Sequence, residues 1–151
     1  MKVKIILIMS MLVGMITYGQ RSNILTNDSL IVNYIKEFVN EGAIRNLDIK
    51  NDLVNNIDYI MIAPDSVEVD NLGISYKNTR AILISNKVRV DRIILKVVLF
   101  RELSHMLGVP YGDNIIMDRK RDEWFSYSPL ADPEIMKIEM DRVLDLYRFR
   151  K

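Results

Sequence analysis

Glu102 and His105 are the residues whose types and spacing indicate chemistry, because they lie three residues apart in the segment 101–108, RELSHMLG. On a helix this spacing places both side chains on one face, where a carboxylate can polarise water and an imidazole can bind a metal ion. His105 is the only histidine in the chain. Arg101 occupies the position four residues earlier, where a second helical ligand would lie. Because arginine keeps its proton in proteins, it cannot bind a cation.

Three helices are expected in the chain. Each shows apolar side chains at spacings of three and four, with a capping residue before it or a glycine after it. They run from Asn27-Asp28-Ser29 to Gly42, from about Val90 to Leu107 with Gly108 behind it, and from Asp132-Pro133 to the basic end at Arg148, Arg150 and Lys151. The second helix carries Glu102 and His105. Its broad apolar face, which includes Ile93, predicts that it is mostly buried.

Three β-rich runs precede the second helix and predict short strands at residues 57–62, 72–76 and 80–85. The last two flank Lys77-Asn78-Thr79, a spacing that suits a hairpin or a strand pair. The stretch 46–56 mixes polar and apolar residues and is assigned no element. Helices and strands together predict the α+β class.

Length and composition allow one compact domain, which we place at residues 20–151. The chain has 151 residues, of which 49% are hydrophobic and 27% are charged, enough for one core but not for two ordinary domains. Its 21 lysines and arginines nearly balance 20 aspartates and glutamates, so nothing indicates a nucleic-acid partner. The absence of cysteine excludes disulfides, thiolate nucleophiles and thiolate metal ligands.

Residues 1–19 have the pattern of a cleaved secretory signal peptide. Lys2 and Lys4 form a positive start, residues 5–16 are apolar, and Thr17-Tyr18-Gly19 forms a small-residue boundary. The apolar run is shorter than the ~20 residues that a transmembrane helix needs, and no later run is long enough either. We therefore expect an exported bacterial protein, periplasmic or secreted, without a membrane span in its mature form.

The helix with Glu102 and His105 resembles the zinc-binding helix of zincin-like metallopeptidases, in the matrixin-like, metzincin-related families whose pattern is HExxHxxGxxH. By position, Arg101 stands at the first histidine, Tyr111 at the third, and Gly108 at the glycine that lets the chain bend. Glu102 stands at the catalytic glutamate and His105 at the second histidine. The resemblance implies that two of three zinc ligands are missing. It makes Glu102 a vestigial general base and His105 at most a weak metal ligand.

The loop Ile115-Ile116-Met117 resembles the turn of the same families that carries a methionine beneath the metal. The resemblance covers most of the mature chain. It implies a minimal zincin-like α+β fold with an N-terminal helix, a short mixed sheet of three or four strands, the motif helix, the methionine-bearing turn and a C-terminal helix. The strand before the motif helix, here Arg80 to Ser85, is expected to be an edge strand that pairs with an extended peptide or protein.

A weak, oxygen-rich metal site is an alternative that the residues leave open. Its candidate ligands are His105, Glu102, Tyr111 and Asp113. The positive charge of Arg101 opposes a divalent cation there, so we expect no bound cofactor, and zinc only if the protein is an atypical enzyme. Arg101 is instead expected to fill the metal position and to form an ion pair. The candidate partners are Glu102, Asp113 and Asp118.

Each feature also has an ordinary structural interpretation. A glutamate and a histidine at this spacing often arise by chance, and the domain would then be an unrelated α+β fold. His105 would be a partly buried histidine bonded to a neighbour, and Met117 would fill the core as methionines commonly do. The aromatic run Trp124-Phe125-Ser126-Tyr127 would pack under a solvated loop.

Three functions are compatible with the sequence. The first, which we favour, is an exported pseudopeptidase that binds a peptide or protein in a residual cleft without cutting it. The second is a weak or atypical zinc-dependent metallopeptidase, whose activity substitution of Glu102 by Gln would abolish. The third is a small secreted structural domain. The sequence contains no serine triad, phosphate loop or dinucleotide fingerprint.

Overall fold

The computed structural model describes residues 23–67, 69, 71–112, 116–117 and 129–150. Within these ranges the chain forms an α+β fold of four α-helices and a mixed four-stranded sheet. The helices are α1 (Ser29–Ile44), α2 (Ile49–Asn56), α3 (Arg92–Met106) and α4 (Pro133–Arg148). The strands are β1 (Leu25–Thr26), β2 (Tyr59–Ile62), β3 (Gly73–Tyr76) and β4 (Ala81–Ile84). Short 3₁₀ helices follow β3 and β4 at Lys77–Thr79 and Asn86–Val90. The predicted α+β class with a short mixed sheet is confirmed.

The predicted helices correspond to α1, α3 and α4, and an aspartate caps each of them. A carboxylate oxygen of Asp28, Asp91 or Asp132 accepts a hydrogen bond from a backbone N–H group in the first turn. These bonds satisfy N–H groups that have no partner inside the helix. The first helix does not end at Gly42 as predicted but continues to Ile44.

Two elements were not predicted, because each is visible only through its packing. The helix α2 presents two buried apolar side chains, Ile49 and Leu53, among polar residues, which is too few to show a helical period. The strand β1 has 2 residues and is recognised by its parallel pairing with β2. Both elements depend on partners that lie elsewhere in the chain.

The sheet has the strand order β1-β2-β4-β3, with β1, β2 and β4 parallel and β3 antiparallel to β4. The predicted pairing across Lys77–Thr79 is therefore confirmed. The prediction that Arg80 to Ser85 forms an edge strand is wrong, because β4 is paired with β2 on one side and β3 on the other. Its apolar sequence, Ala-Ile-Leu-Ile, is typical of an interior strand covered on both faces. The edge strand next to β4 is β3.

The helix α3 lies at the centre of the main core. Every residue from Ile94 to Met106 except Lys96 is buried, which confirms the prediction of a mostly buried helix. Ile93 was predicted to lie on the apolar face but is 39% exposed, because it belongs to the first turn. The opposite face of the sheet carries a smaller cluster of Met61, Ala63, Val69 and Leu83. In the described part of the chain, no helix has the length and apolar character needed to cross a bilayer.

Candidate functional site

The C-terminal end of α3 turns sharply at Gly108, and this turn positions the candidate site. The backbone N–H of Gly108 donates to His105 at 2.9 Å, and that of Val109 donates to Ser104 at 3.0 Å. This pair of bonds is the Schellman arrangement, which requires a left-handed residue after the helix. Gly108 provides it with φ of 86°. The turn brings the chain after α3 back across the ring of His105.

His105 is 7% exposed, and the two nitrogens of its ring have different environments. Its Nδ1 lies 3.0 Å from the carbonyl oxygen of Val109. Because a carbonyl only accepts, Nδ1 must carry the proton, and Nε2 of the neutral ring is left as an acceptor. Nε2 is buried and has no hydrogen-bond partner in the part of the chain that the structure describes. The expected structural bond of His105 to a neighbour is therefore present, but it uses only one nitrogen.

Burial is the largest influence on the pKa of His105, and it lowers that pKa below the ordinary value. The Glu102 carboxylate and the bond to the Val109 carbonyl act in the opposite direction. The positive charges of Arg101 and Lys77 lower the pKa further. The net shift is downward, so the ring is neutral near pH 7.

Tyr111 lies directly against His105. The ring centroids are 3.9 Å apart and the planes meet at 63°, an edge-to-face arrangement. Tyr111 is 49% exposed, so one part of its ring covers the imidazole while another part faces solvent. The structure thus brings together Tyr111 and His105, two residues that the sequence analysis singled out.

Arg101 and Glu102 form a buried ion pair beside His105. Their exposed fractions are 3% and 1%, and Nε of Arg101 donates to Oε1 of Glu102 at 3.1 Å. The predicted pairing of Arg101 with Glu102 is confirmed. The other two predicted partners, Asp113 and Asp118, lie outside the described residues.

The strand β3 passes directly over this ion pair, and Gly73 makes the close approach possible. A Cβ atom at Gly73 would lie 2.7 Å from Cγ1 of Val98, 3.1 Å from Cγ of Glu102 and 3.3 Å from Oε1 of Glu102. No real side chain tolerates the first of these distances without a shift of its neighbours. The edge strand and the carboxylate are therefore parts of one site.

Met117 is fully buried in the main core. Its carbonyl oxygen accepts a hydrogen bond from the backbone N–H of Gly112 at 3.3 Å, which ties the two described ends of this loop together. The aromatic run 124–127 lies outside the described residues, so its predicted packing stays a prediction.

The described residues do not fit a catalytic zinc ion. They contain no group of three or more His, Cys, Asp or Glu side chains that could hold a metal. A catalytic zinc takes three protein ligands and keeps one open position. Here Nε2 of His105 is a suitable donor, but Glu102 is engaged by the cation of Arg101. The alternative ligand Asp113 lies outside the described residues.

An open cavity of about 860 Å³ adjoins the site between β3 and the end of α3. Its wall includes Ser75, Tyr76, Lys77, His105, Tyr111 and Arg150. Sequence reasoning did not identify four of these residues as site residues, namely Ser75, Tyr76, Lys77 and Arg150. Lys77 was visible only as part of a turn, and Arg150 only as part of a basic helix end. Neither local pattern indicates proximity to His105.

Comparison with family models, curated proteins and solved structures gives no match to this chain.

Proposed function

We propose that this chain is an exported protein of zincin-like ancestry that binds an extended peptide in the cleft beside α3 without hydrolysing it. The buried ion pair of Arg101 and Glu102 is the observation that carries this proposal. In a zinc peptidase the glutamate of the motif polarises the metal-bound water. Here an oxygen of that carboxylate is engaged by a guanidinium, and the same cation opposes a metal ion.

The open edge of β3 supports the binding of a peptide. The backbone N–H of Ser85 donates to Leu72, which makes these two residues a hydrogen-bonded pair of the antiparallel ladder. Because such pairs alternate, the N–H and C=O groups of Gly73 and Ser75 point away from β4. In the described part of the chain, no strand pairs with this side of β3. An extended peptide can add there as a further strand.

Substitution of Ser75 by proline tests this mode of binding. Proline removes the outward N–H group but no ladder bond to β4, and edge strands tolerate it at such positions. Ser75→Ala is the matched control, since it keeps the N–H group. We expect peptides selected from a random library against the wild-type protein to bind Ser75→Ala normally and Ser75→Pro at least about tenfold more weakly, as measured by calorimetry. Equal affinity for both variants, with circular dichroism showing intact folds, would overturn strand addition at β3.

An atypical metallopeptidase is the second candidate, and one observation favours it. The ring of His105 donates Nδ1–H to a backbone carbonyl and keeps Nε2 free, which is how metal-binding histidines are usually oriented. Zinc-dependent hydrolysis of a peptide by the wild-type protein, lost in Glu102→Gln, would establish this activity. If a folded protein neither cleaves nor binds peptides, the third candidate, a secreted structural domain, remains.

Export is part of the proposal and rests on the sequence of residues 1–19, which lie outside the described residues. Expression of the full chain in a bacterium should yield a periplasmic or secreted product. Its mass should correspond to cleavage after Gly19.

A further inference from the structure

The described residues that line the cavity beside His105 carry an excess of positive charge. Lys77 forms no ion pair with any described residue, and Arg150 donates to the carbonyl oxygen of Gly108 but pairs with no described carboxylate. No aspartate or glutamate occurs among the described residues that line the cavity. Elsewhere in the described chain, guanidinium groups such as those of Arg45 and Arg80 contact carboxylates. The cavity therefore attracts a negatively charged group.

His105 also lines this cavity, but its Nε2 atom is itself buried and out of reach of an occupant. The cations of Lys77 and Arg150, together with the open edge of β3 that leads into the cavity, are therefore what selects a ligand.

We propose that the cleft selects peptides with an internal aspartate or glutamate, whose carboxylate lies between Lys77 and Arg150. This inference rests on the proposed peptide-binding function and names the class of peptide. The side chain, not a peptide C-terminus, is the source of the carboxylate, because the edge of β3 leads past Ser75 and Tyr76 into a cavity open to solvent. A chain can therefore continue beyond the acidic residue.

The test compares two peptides that differ only by glutamate or glutamine at one position, both acetylated and amidated. A set that moves this position along the sequence locates the register. We expect the best glutamate peptide to bind the wild-type protein at least about fivefold tighter than its glutamine partner, with the difference shrinking at high salt because the cations are exposed. Binding would be measured by fluorescence polarisation.

Charge-removing variants decide which residues are responsible. The double variant Lys77→Gln, Arg150→Gln should lose the preference for glutamate. The matched control, Lys36→Gln with Lys50→Gln, removes two exposed cations from a different groove, between α1 and α2, and should keep the preference. A control that loses the preference equally would overturn the assignment to Lys77 and Arg150.

The possible failures are distinguishable. If no peptide of any sequence binds, the proposed function fails. If peptides bind but the wild-type protein does not discriminate glutamate from glutamine, the function stands and this inference is wrong. A preference that appears only when the amide at the C-terminus is replaced by a free carboxylate would assign the anion to the chain end and would overturn the internal side chain.

Discussion

The ion pair of Arg101 and Glu102 is the central residue-scale feature of this protein. Both charged side chains are almost completely buried on α3, where β3 passes over them. Burial of an isolated charge is costly, and the contact between these two charges offsets part of that cost. This interaction keeps the helix compatible with a buried position.

Removal of one partner of this pair should destabilise the fold strongly. We expect Arg101→Met to lower the free energy of unfolding by about 3–5 kcal/mol, because it leaves the carboxylate of Glu102 buried without its cation. The double variant Arg101→Met, Glu102→Gln should recover most of that loss, since neither charge remains. Urea unfolding of the wild type, both single variants and the double variant measures the coupling. Additive effects of the two single substitutions would contradict the account of a coupled pair.

At the scale of elements, the end of α3 links helix geometry to the site. One left-handed turn at Gly108 produces both Schellman bonds. It also places the carbonyl oxygen of Val109, the residue after Gly108, next to Nδ1 of His105. The turn that ends the helix therefore also fixes the orientation of the His105 ring. The contact of Tyr111 with the imidazole and the place of His105 in the cavity wall follow from the same change of direction.

Substitution of Gly108 by alanine should weaken this turn through the backbone alone. Nothing lies within 4 Å of the position that a Cβ atom would take, so no clash is involved. A left-handed conformation costs an ordinary residue about 1–2 kcal/mol, and we expect a loss of stability of about that size in thermal or urea unfolding. Gly108→Asn should lose less, because asparagine tolerates this conformation better. A loss that is equal for both variants would point to another cause.

At the scale of the whole molecule, the fold brings three separate parts of the chain to one place. The edge strand β3, the end of α3 and Arg150 beyond α4 all border the same cavity. The loop after Gly108 returns Tyr111 to His105. In the resemblance to zincin-like peptidases, Arg101 and Tyr111 would occupy two of the three zinc-ligand positions and His105 the other.

Introduction of the two histidines of the HExxHxxGxxH pattern at positions 101 and 111 tests the resemblance to zincin-like peptidases. The double variant Arg101→His, Tyr111→His should bind one zinc ion tightly, because positions 101 and 105 are one turn apart on α3 and position 111 already lies against His105. Metal analysis after dialysis and calorimetric titration measure the binding. Arg101→Gln with Tyr111→Gln is the control and should bind none. A folded double-histidine variant without zinc affinity would count against the zincin-like assignment.

The positions of the helices could largely be predicted, and the arrangement of the strands could not. The caps at Asp28, Asp91 and Asp132 and the apolar spacings behind them are local signals, which depend on residues within a few positions of each other. The role of β4 depended on which strands compete for its two sides. Its partner on one side, β2, is far away in sequence, and the prediction of an edge strand came from the resemblance to zincins rather than from a local pattern.

The sequence by itself determined that one helix carries Arg101, Glu102 and His105 on neighbouring positions and that a glycine ends it, because these are consequences of spacing and residue type. Only the tertiary structure decided that, among the described residues, β3 has an open edge and Nε2 of His105 has no partner. It also decided that Lys77, Arg150 and His105 line one cavity. These features depend on contacts between segments that are distant in the chain. The stability of these contacts depends on which distant segments pack together, and a local sequence pattern does not predict that packing.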